Sequence, residues 1–441
     1  MQKTVVINTL GCSKNRVDSE RVARQIERQG FTVLFDCMPT ASCKSNILIL
    51  NTCGFIQDAK EESIEAIYSA VMAKNEGFVD QVFVFGCLSQ RYSHVLTKEI
   101  PQVDQFFGAN DLSAVIQAVG SKEIPELLHE RLVSTPRHYA YLKISEGCNR
   151  SCAFCAIPLI RGPYISTSLD RLVLEAQFLA TQGVKELILV AQDTTCYGVD
   201  LYKQSMLAPL IERLTLIEGI EWIRLHYAYP VAFPTEVLEL MAHHPKVCPY
   251  LDIPLQHIST KVLAAMRRGT DERRTRVLID EIRKRVPGVV LRTTLMVGHP
   301  GEDKRAFAQL LSFVAETKFE RLGAFTYSEE EETFAAQNYK DSVSKKIKEE
   351  RYDMLMELQS GISFAYNQSR VGSQELVLID RVENGLLVGR SRFESPEVDG
   401  VVYVQADQSD REKELRVGTF QRVIVEQAEV YDLYGKLIDT Q

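Results

Sequence analysis

Residues 145–155 read SEGCNRSCAFC, and Cys148, Cys152 and Cys155 fall in a C-x3-C-x2-C run. A cubane iron–sulfur cluster has four irons and ordinarily takes four thiolates. A structural zinc site also needs a fourth Cys or His, usually from a second knuckle in the same module. Neither follows nearby: Cys196 ends a different strand candidate, and His138 precedes the run without knuckle spacing. The run therefore reads either as an irregular zinc site or as a cluster whose fourth iron is left open for a substrate atom.

The surrounding sequence places the run at the end of a strand. AYLKIS precedes it, and ELILVAQ, WIRLHYAY, YLDIPL, VVLRTTLMVG and RLGAFTY follow, separated by helical stretches. One of these, SLDRLVLEAQFLATQG, puts Leu169, Leu172, Ala176 and Leu179 on one face and stops at Gly183, a residue suited to the left-handed position after a helix. Six such units predict an α/β fold with an open or partial βα barrel, its chemistry at the C-terminal strand ends. Polar residues at those ends are candidate cofactor contacts: Gln192, Asp193, His226 beside Tyr227, Gln256, Arg292, and Gly298 of the VGHPGE turn. Each can equally cap a helix or satisfy backbone groups.

The chain has 441 residues, 45% of them hydrophobic, enough for two or three domains with sizeable cores. It shows no secretory apolar segment and no run of about 18 apolar residues, so a cytoplasmic protein without membrane attachment is expected. Ten cysteines in a reducing compartment point to metal or redox chemistry rather than disulfides. A net charge of -8 gives no general pull toward nucleic acid.

Residues 1–135 alternate short apolar runs with helical periodicity, as a parallel sheet flanked by helices does. Cys12, Cys53 and Cys87 each follow a strand candidate (VVINTLGC, ILILNTC, FVFGC). Parallel strands end along one sheet edge, so these three can converge on a second cluster. Gly11, Gly54 and Gly86 beside them are expected to let backbone approach a bulky inorganic group. Cys37, Cys43, Cys196 and Cys248 lack this pattern and read as structural. STPRHYAY marks a boundary to a central domain over 136–368, whose last part, 342–368, is a charged linker helix. Residues 369–441 have the grammar of a small antiparallel β-barrel and carry nine Lys plus Arg against fourteen Asp plus Glu. The acidic run Glu329–Glu332 reads as a solvated loop.

C-x3-C-x2-C with an aromatic residue, Phe154, before the last cysteine resembles the radical S-adenosylmethionine superfamily. That resemblance implies that S-adenosylmethionine chelates the open iron and yields a 5′-deoxyadenosyl radical, with Phe154 near the cofactor. Together, the two trios and the tail resemble the methylthiotransferases over nearly the whole chain: an N-terminal three-cysteine domain, a radical barrel and a TRAM barrel. Two 4Fe–4S clusters and two S-adenosylmethionine molecules are implied, one cluster presenting the sulfur. LGCSKNRVDSE, AQDTTCYGVDLY, RLHYAYP, YLDIPLQHIS, MRRGT and SPEVDGVVYV are similar to the branch that modifies the β-carbon of an aspartate in small-subunit ribosomal protein twelve. The alternative is the sister branch, which modifies a transfer-RNA adenosine and usually carries a GCQMN-like first motif. Departures are Ser13 in place of a common proline and EEEETFAA in place of a Gly-Thr-Pro turn. The implied partners are the basic ribosomal protein, met by the acidic tail, and an electron donor such as a flavodoxin, with no nucleic acid required. The tail holds no cysteine and is expected to be dispensable for S-adenosylmethionine cleavage.

Overall fold

The structure, a computed structural model, describes residues 3–406 and 414–438. Its N-terminal part is a five-stranded parallel sheet built from Thr4–Thr9, Thr32–Phe35, Ser45–Thr52, Val79–Gly86 and Gln105–Phe106, in the order second, first, third, fourth, fifth. These strands are rich in Val, Ile, Leu and Phe because both faces are covered. On one face Val5, Ile7, Ile49 and Phe85 pack against helix Ser13–Glu27 through Val22, Ala23 and Ile26. On the other, Val6, Leu48, Leu50 and Val84 meet helices Gln57–Asn75 and Cys87–Glu99. The first, third and fourth strands are neighbours, so their C-terminal ends, which carry Cys12, Cys53 and Cys87, lie side by side.

The central part is an open sheet of six parallel strands, Tyr139–Lys143, Glu186–Val190, Trp222–Leu225, Val247–Asp252, Val290–Val297 and Arg321–Thr326, paired in chain order. Alternation along each strand divides its two faces. Ala140, Leu142, Leu187, Leu189, Ile223 and Leu251 face the helices and form the largest apolar cluster of the molecule. Tyr139, Tyr141, Glu186, Arg224, Tyr250 and Arg292 point the other way, into the concave side. Two outside elements cover that concave side. Val17 of helix Ser13–Glu27 packs on Tyr139, Tyr141, Ile188 and Val190, and a loop of the tail fills the rest.

The tail follows the helix Lys345–Ser369, whose N-cap Ser344 accepts a hydrogen bond from the Ile347 amide at 3.4 Å. It is a closed five-stranded barrel of Gln374–Glu383, Leu386–Arg390, Val402–Gln405, Phe420–Ala428 and Leu433–Leu437. Val402–Gln405 and Leu433–Leu437 pair parallel, so the expected antiparallel barrel carries one parallel seam.

The tail is tied to the central domain, because its loop after Arg390 is inserted against the concave face of the central sheet. Arg390 donates to Glu186 at 2.7 Å, Tyr141 to Glu397 at 2.7 Å, Tyr250 to Asp399 at 2.7 Å, and Arg321 to Glu394 at 2.9 Å. The run Glu329–Glu332 is a solvated loop only in part: Glu329, Glu331 and Glu332 are exposed, but Glu330 is 4% exposed and pairs with Lys60 at 2.7 Å and Arg91 at 3.0 Å. Arg91 also reaches the Glu331 carbonyl at 3.1 Å. The acidic run is a strap between the central and N-terminal domains.

Candidate functional site

Cys12 is the N-cap residue of helix Ser13–Glu27, Cys53 directly follows its strand, and Cys87 opens helix Cys87–Glu99. Asn15 organises the group. Its Oδ1 stands 4.0 Å from the Cys12 Sγ and 3.9 Å from the Cys87 Sγ, and its Nδ2 donates to the Leu10 carbonyl at 3.0 Å. The glycines also let the cysteine loops approach one another. A Cβ on Gly11, at φ +86°, would stand 2.9 Å from the Cys53 Sγ, and one on Gly54 would stand 2.7 Å from the Leu88 Cα. Burial alone would raise the Cys12 thiol, but Lys14, backbone N–H groups and Arg161 outweigh it and lower its pKa. Cys53 is pushed up to about 12 by burial.

Cys148, Cys152 and Cys155 sit in the loop between the first central strand and the short helix Ile157–Arg161. Arg268 Nη1 donates to the Cys152 Sγ at 3.3 Å, and the Arg150 amide to the Cys148 Sγ at 3.4 Å. The guanidinium groups of Arg150 and Arg268 stand over the Tyr229 ring, 4.0 and 4.3 Å from its centroid. Cys155 is raised to about 12 by burial. A cavity of about 400 Å³ opens on all three cysteines, with Arg267 and Phe334 at its wall, within the roughly 300–1,000 Å³ range of small-molecule sites. Phe334 belongs to the stretch that departs from the family's Gly-Thr-Pro turn, so that departure lines the cavity.

The two trios are joined. Arg161, which closes the helix after Cys155, donates to Asn15 Oδ1 at 2.5 Å and to Asp18 Oδ2 at 2.9 Å. Lys143, from the strand before Cys148, pairs with Asp18 and with Glu146. Burial would raise the Glu146 carboxyl, yet Lys143 and Arg161 hold it down to about 2.

The strand-end candidates separate into three groups. Gln192 and Gln256 each keep a buried Oε1 with no hydrogen-bond partner among the described residues, an arrangement that suits a polar cofactor. Asp193 and Phe154 hold the loop: Asp193 accepts from Arg150 Nε at 2.7 Å and caps the Thr194–Cys196 turn, while Phe154 packs edge-on to His299. The remaining three are engaged by other elements. His226 is hydrogen-bonded to Ser395 of the tail at 2.7 Å, and burial, with Arg292, Arg224 and Lys14, lowers its pKa far below the usual value. Arg292 pairs with Asp252 at 3.2 Å and Asp399 at 3.5 Å. Gly298, at φ +78°, lies against the Lys348 side chain of the linker helix. Cys196, read as structural, accepts from Arg150 Nη2 at 3.1 Å beside the second trio.

Sequence reasoning missed Lys14, Asn15, Arg161 and Arg268. The first two stand in the SKN that follows Cys12, and Arg268 in MRRGT, where a basic or amide residue gives no local sign of the thiol it will face. Each donor set is three soft thiols, the ligand type of iron–sulfur groups, and the thiols of each trio are close enough to raise one another's pKa, although among the described residues no three His, Cys, Asp or Glu side chains are gathered as a metal-ion site.

Three family models match the chain: an uncharacterized protein family, UPF0004, over 4–108, the radical SAM superfamily over 142–314, and the TRAM domain over 371–438. The chain is 49% identical to the ribosomal protein uS12 methylthiotransferase RimO of Bacteroides thetaiotaomicron, covering 99% of both chains. It is 50% identical to the RimO of Flavobacterium johnsoniae, covering 97% of this chain and 96% of that one. In fold it is similar to the radical S-adenosylmethionine methyltransferase TsrM from Kitasatospora setae, solved with cobalamin and a 4Fe–4S cluster. That match has a TM-score of 0.54 at 14% identity and covers 88% of this chain and 81% of that chain. With a cysteine trio at each of two strand edges and identity near one half along its whole length, the chain belongs to the RimO family of radical S-adenosylmethionine methylthiotransferases.

Proposed function

We propose that this enzyme attaches a methylthio group to the β-carbon of an aspartate in ribosomal protein uS12. Cys148, Cys152 and Cys155 hold one 4Fe–4S cluster with S-adenosylmethionine, and Cys12, Cys53 and Cys87 hold the other. The observation that carries this reading is the joining of the two trios through Arg161 and Asn15. When bound, the two clusters and S-adenosylmethionine supply the reducing electron, the hydrogen-abstracting radical, the sulfur and the methyl group.

The chain's own residues provide placement. Arg150, anchored by Asp193, and Arg268 fix the loop of the second trio and put positive charge beside its thiolates. The free Oε1 atoms of Gln192 and Gln256 accept hydrogen bonds from a cofactor's amino or hydroxyl groups. Helix Ser13–Glu27 and the tail loop close the concave face and keep water from it. Each of the ten cysteines is outside any disulfide, which agrees with a reducing cytoplasm. Among the described residues no helix is long and apolar enough to cross a membrane. A flavodoxin-type donor would reach the cluster of the second trio from the cavity side.

The test is anaerobic reconstitution of wild-type enzyme and cysteine variants with uS12, reading both products. Replacing Cys148, Cys152 or Cys155 with Ala should abolish 5′-deoxyadenosine and methylthio-uS12 alike. Replacing Cys12, Cys53 or Cys87 should leave 5′-deoxyadenosine formation but stop sulfur insertion, with iron down by about half in either set. Near-normal methylthiolation by the Cys12, Cys53 and Cys87 variants would show that trio to be structural. The mass increment appearing in transfer RNA instead of uS12 would reassign the substrate.

A further inference from the structure

Arg268 is 5% exposed, and among the described residues no carboxylate pairs with it. The other guanidinium groups beside the cysteines have acids: Arg150 pairs with Asp193 at 2.7 Å and Arg161 with Asp18 at 2.9 Å. Arg268 directs Nη1 to the Cys152 Sγ at 3.3 Å and Nη2 to the Pro254 carbonyl at 2.5 Å, while its Nε has no hydrogen-bond partner. The Tyr229 ring, 4.3 Å away, carries no countercharge, because burial raises its phenol. The Arg268 charge also reaches Cys155, whose pKa it lowers against the larger effect of burial.

A buried cation is costly unless an anion compensates it, and here the nearest groups able to do so are the thiolates of the second trio. The potential of an iron–sulfur group depends on its net charge, on hydrogen bonds to its sulfurs and on solvent exposure. A fixed cation favours the reduced state, which is more negative by one charge, and does so most where burial limits screening. Arg150 is offset by Asp193, so Arg268 is the cation that acts uncompensated. Nor is its side chain the only anchor of the cysteine loop. The Ala153 amide donates to the Met266 carbonyl at 2.9 Å, and Tyr229 donates through its hydroxyl to the Arg268 carbonyl at 2.8 Å.

We propose that Arg268 sets the reduction potential of the group held by Cys148, Cys152 and Cys155, making its one-electron reduction easier. Arg268 is thus a positioning residue that acts through the Cys152 sulfur. This assignment rests on the reading of that trio as the ligands of a 4Fe–4S cluster.

The experiment is a redox titration, followed by electron paramagnetic resonance, of reconstituted full-length enzyme in which Cys12, Cys53 and Cys87 are replaced with Ala so that one cluster is read. In this parent Arg268 is kept or replaced with Met, Gln or Lys. Arg268→Met and Arg268→Gln should disfavour reduction about 10- to 100-fold, the worth of a hydrogen bond to a charged group. For one electron that is a potential about 60–120 mV more negative. Arg268→Lys, which keeps the charge, should stay nearer the parent. Met and Gln variants with the parent's potential overturn the proposal, as does a Lys variant shifted as far as the Met one. If the Met and Gln variants hold no iron, Arg268 anchors the loop and the proposal also falls. Failure of the wider reading would look different, since the parent with Arg268 in place would then take up no cluster.

Discussion

Glu332 stands at φ +62°, in the left-handed region where a side chain with a Cβ is strained by about 1 kcal/mol or more. It occupies the place where the resembling family turn carries glycine, and the geometry supplies the reason for that glycine. Glu332→Gly should remove the strain at the smaller entropic cost of a glycine in the unfolded chain. A net stabilisation of about 0.5–1 kcal/mol, a rise of about 1–4 °C in the thermal midpoint, is the expected outcome. Calorimetry of metal-free protein checks it, and a lowered midpoint would mean that the carboxylate makes a contact outweighing the strain.

The strap around Glu330 shows how one short element sets the relation of two domains. Its carboxylate meets Lys60 and Arg91, Arg91 touches the Gly54 carbonyl at 3.4 Å, and Tyr92 donates to Glu331 at 3.2 Å. Gly54 adjoins Cys53, and Thr333 and Phe334 line the cavity of the other trio, so the strap touches both sites. Glu330→Ala would leave two largely buried cations without their partner, a change costing about 3–5 kcal/mol for a buried pair. The N-terminal domain should then loosen from the central one. Limited proteolysis should cut the variant between residues 109 and 138 much faster than the wild type, and equal rates would show the strap to be incidental.

Across the whole molecule, the junction of tail and central sheet depends on buried carboxylates. Burial would raise the Asp380 carboxyl from its ordinary 3.8, but Arg390 and His138 hold it down to about 2; Arg390 and Arg224 likewise lower Glu186, and Arg370 and Arg321 lower Glu394. A carboxylate with a depressed folded-state pKa contributes its full stabilisation above its unfolded value near 4. That contribution, on the order of 2 kcal/mol for Asp380, is lost as pH falls toward 2. The single tryptophan reports on this junction, since Trp222 packs 4.8 Å from the Phe420 ring of the tail. Acidifying metal-free protein from about pH 4 to 2 should shift Trp222 emission to the red as the tail releases. Emission that stays constant through that window would locate the acid-sensitive contacts elsewhere.

The sequence alone determined the three-part α/β architecture, the six central strands and the convergence of Cys12, Cys53 and Cys87. Apolar burial is non-directional, so it leaves a periodic trace along the chain, and a run of parallel strands puts their ends on one edge whatever the details. Thiolate chemistry is carried by residue type and spacing, which is why Cys148, Cys152 and Cys155 stand out as candidates in the sequence. Only the tertiary structure decided the polar surroundings. Arg161 meets Asn15 across 146 positions, Lys143 meets Asp18 across 125, and Arg390 meets Glu186 across 204. A hydrogen bond or ion pair forms only within a narrow range of distance and angle, and no local pattern tells an acid which of 51 Lys and Arg residues it will face. For that reason the hold of the tail on His226 and Arg292, through Ser395 and Asp399, left no trace in the local sequence. Lys14, inconspicuous in its motif, is set by the docking of the two domains between the ring of Tyr227 and the Cys12 thiol, whose pKa it lowers.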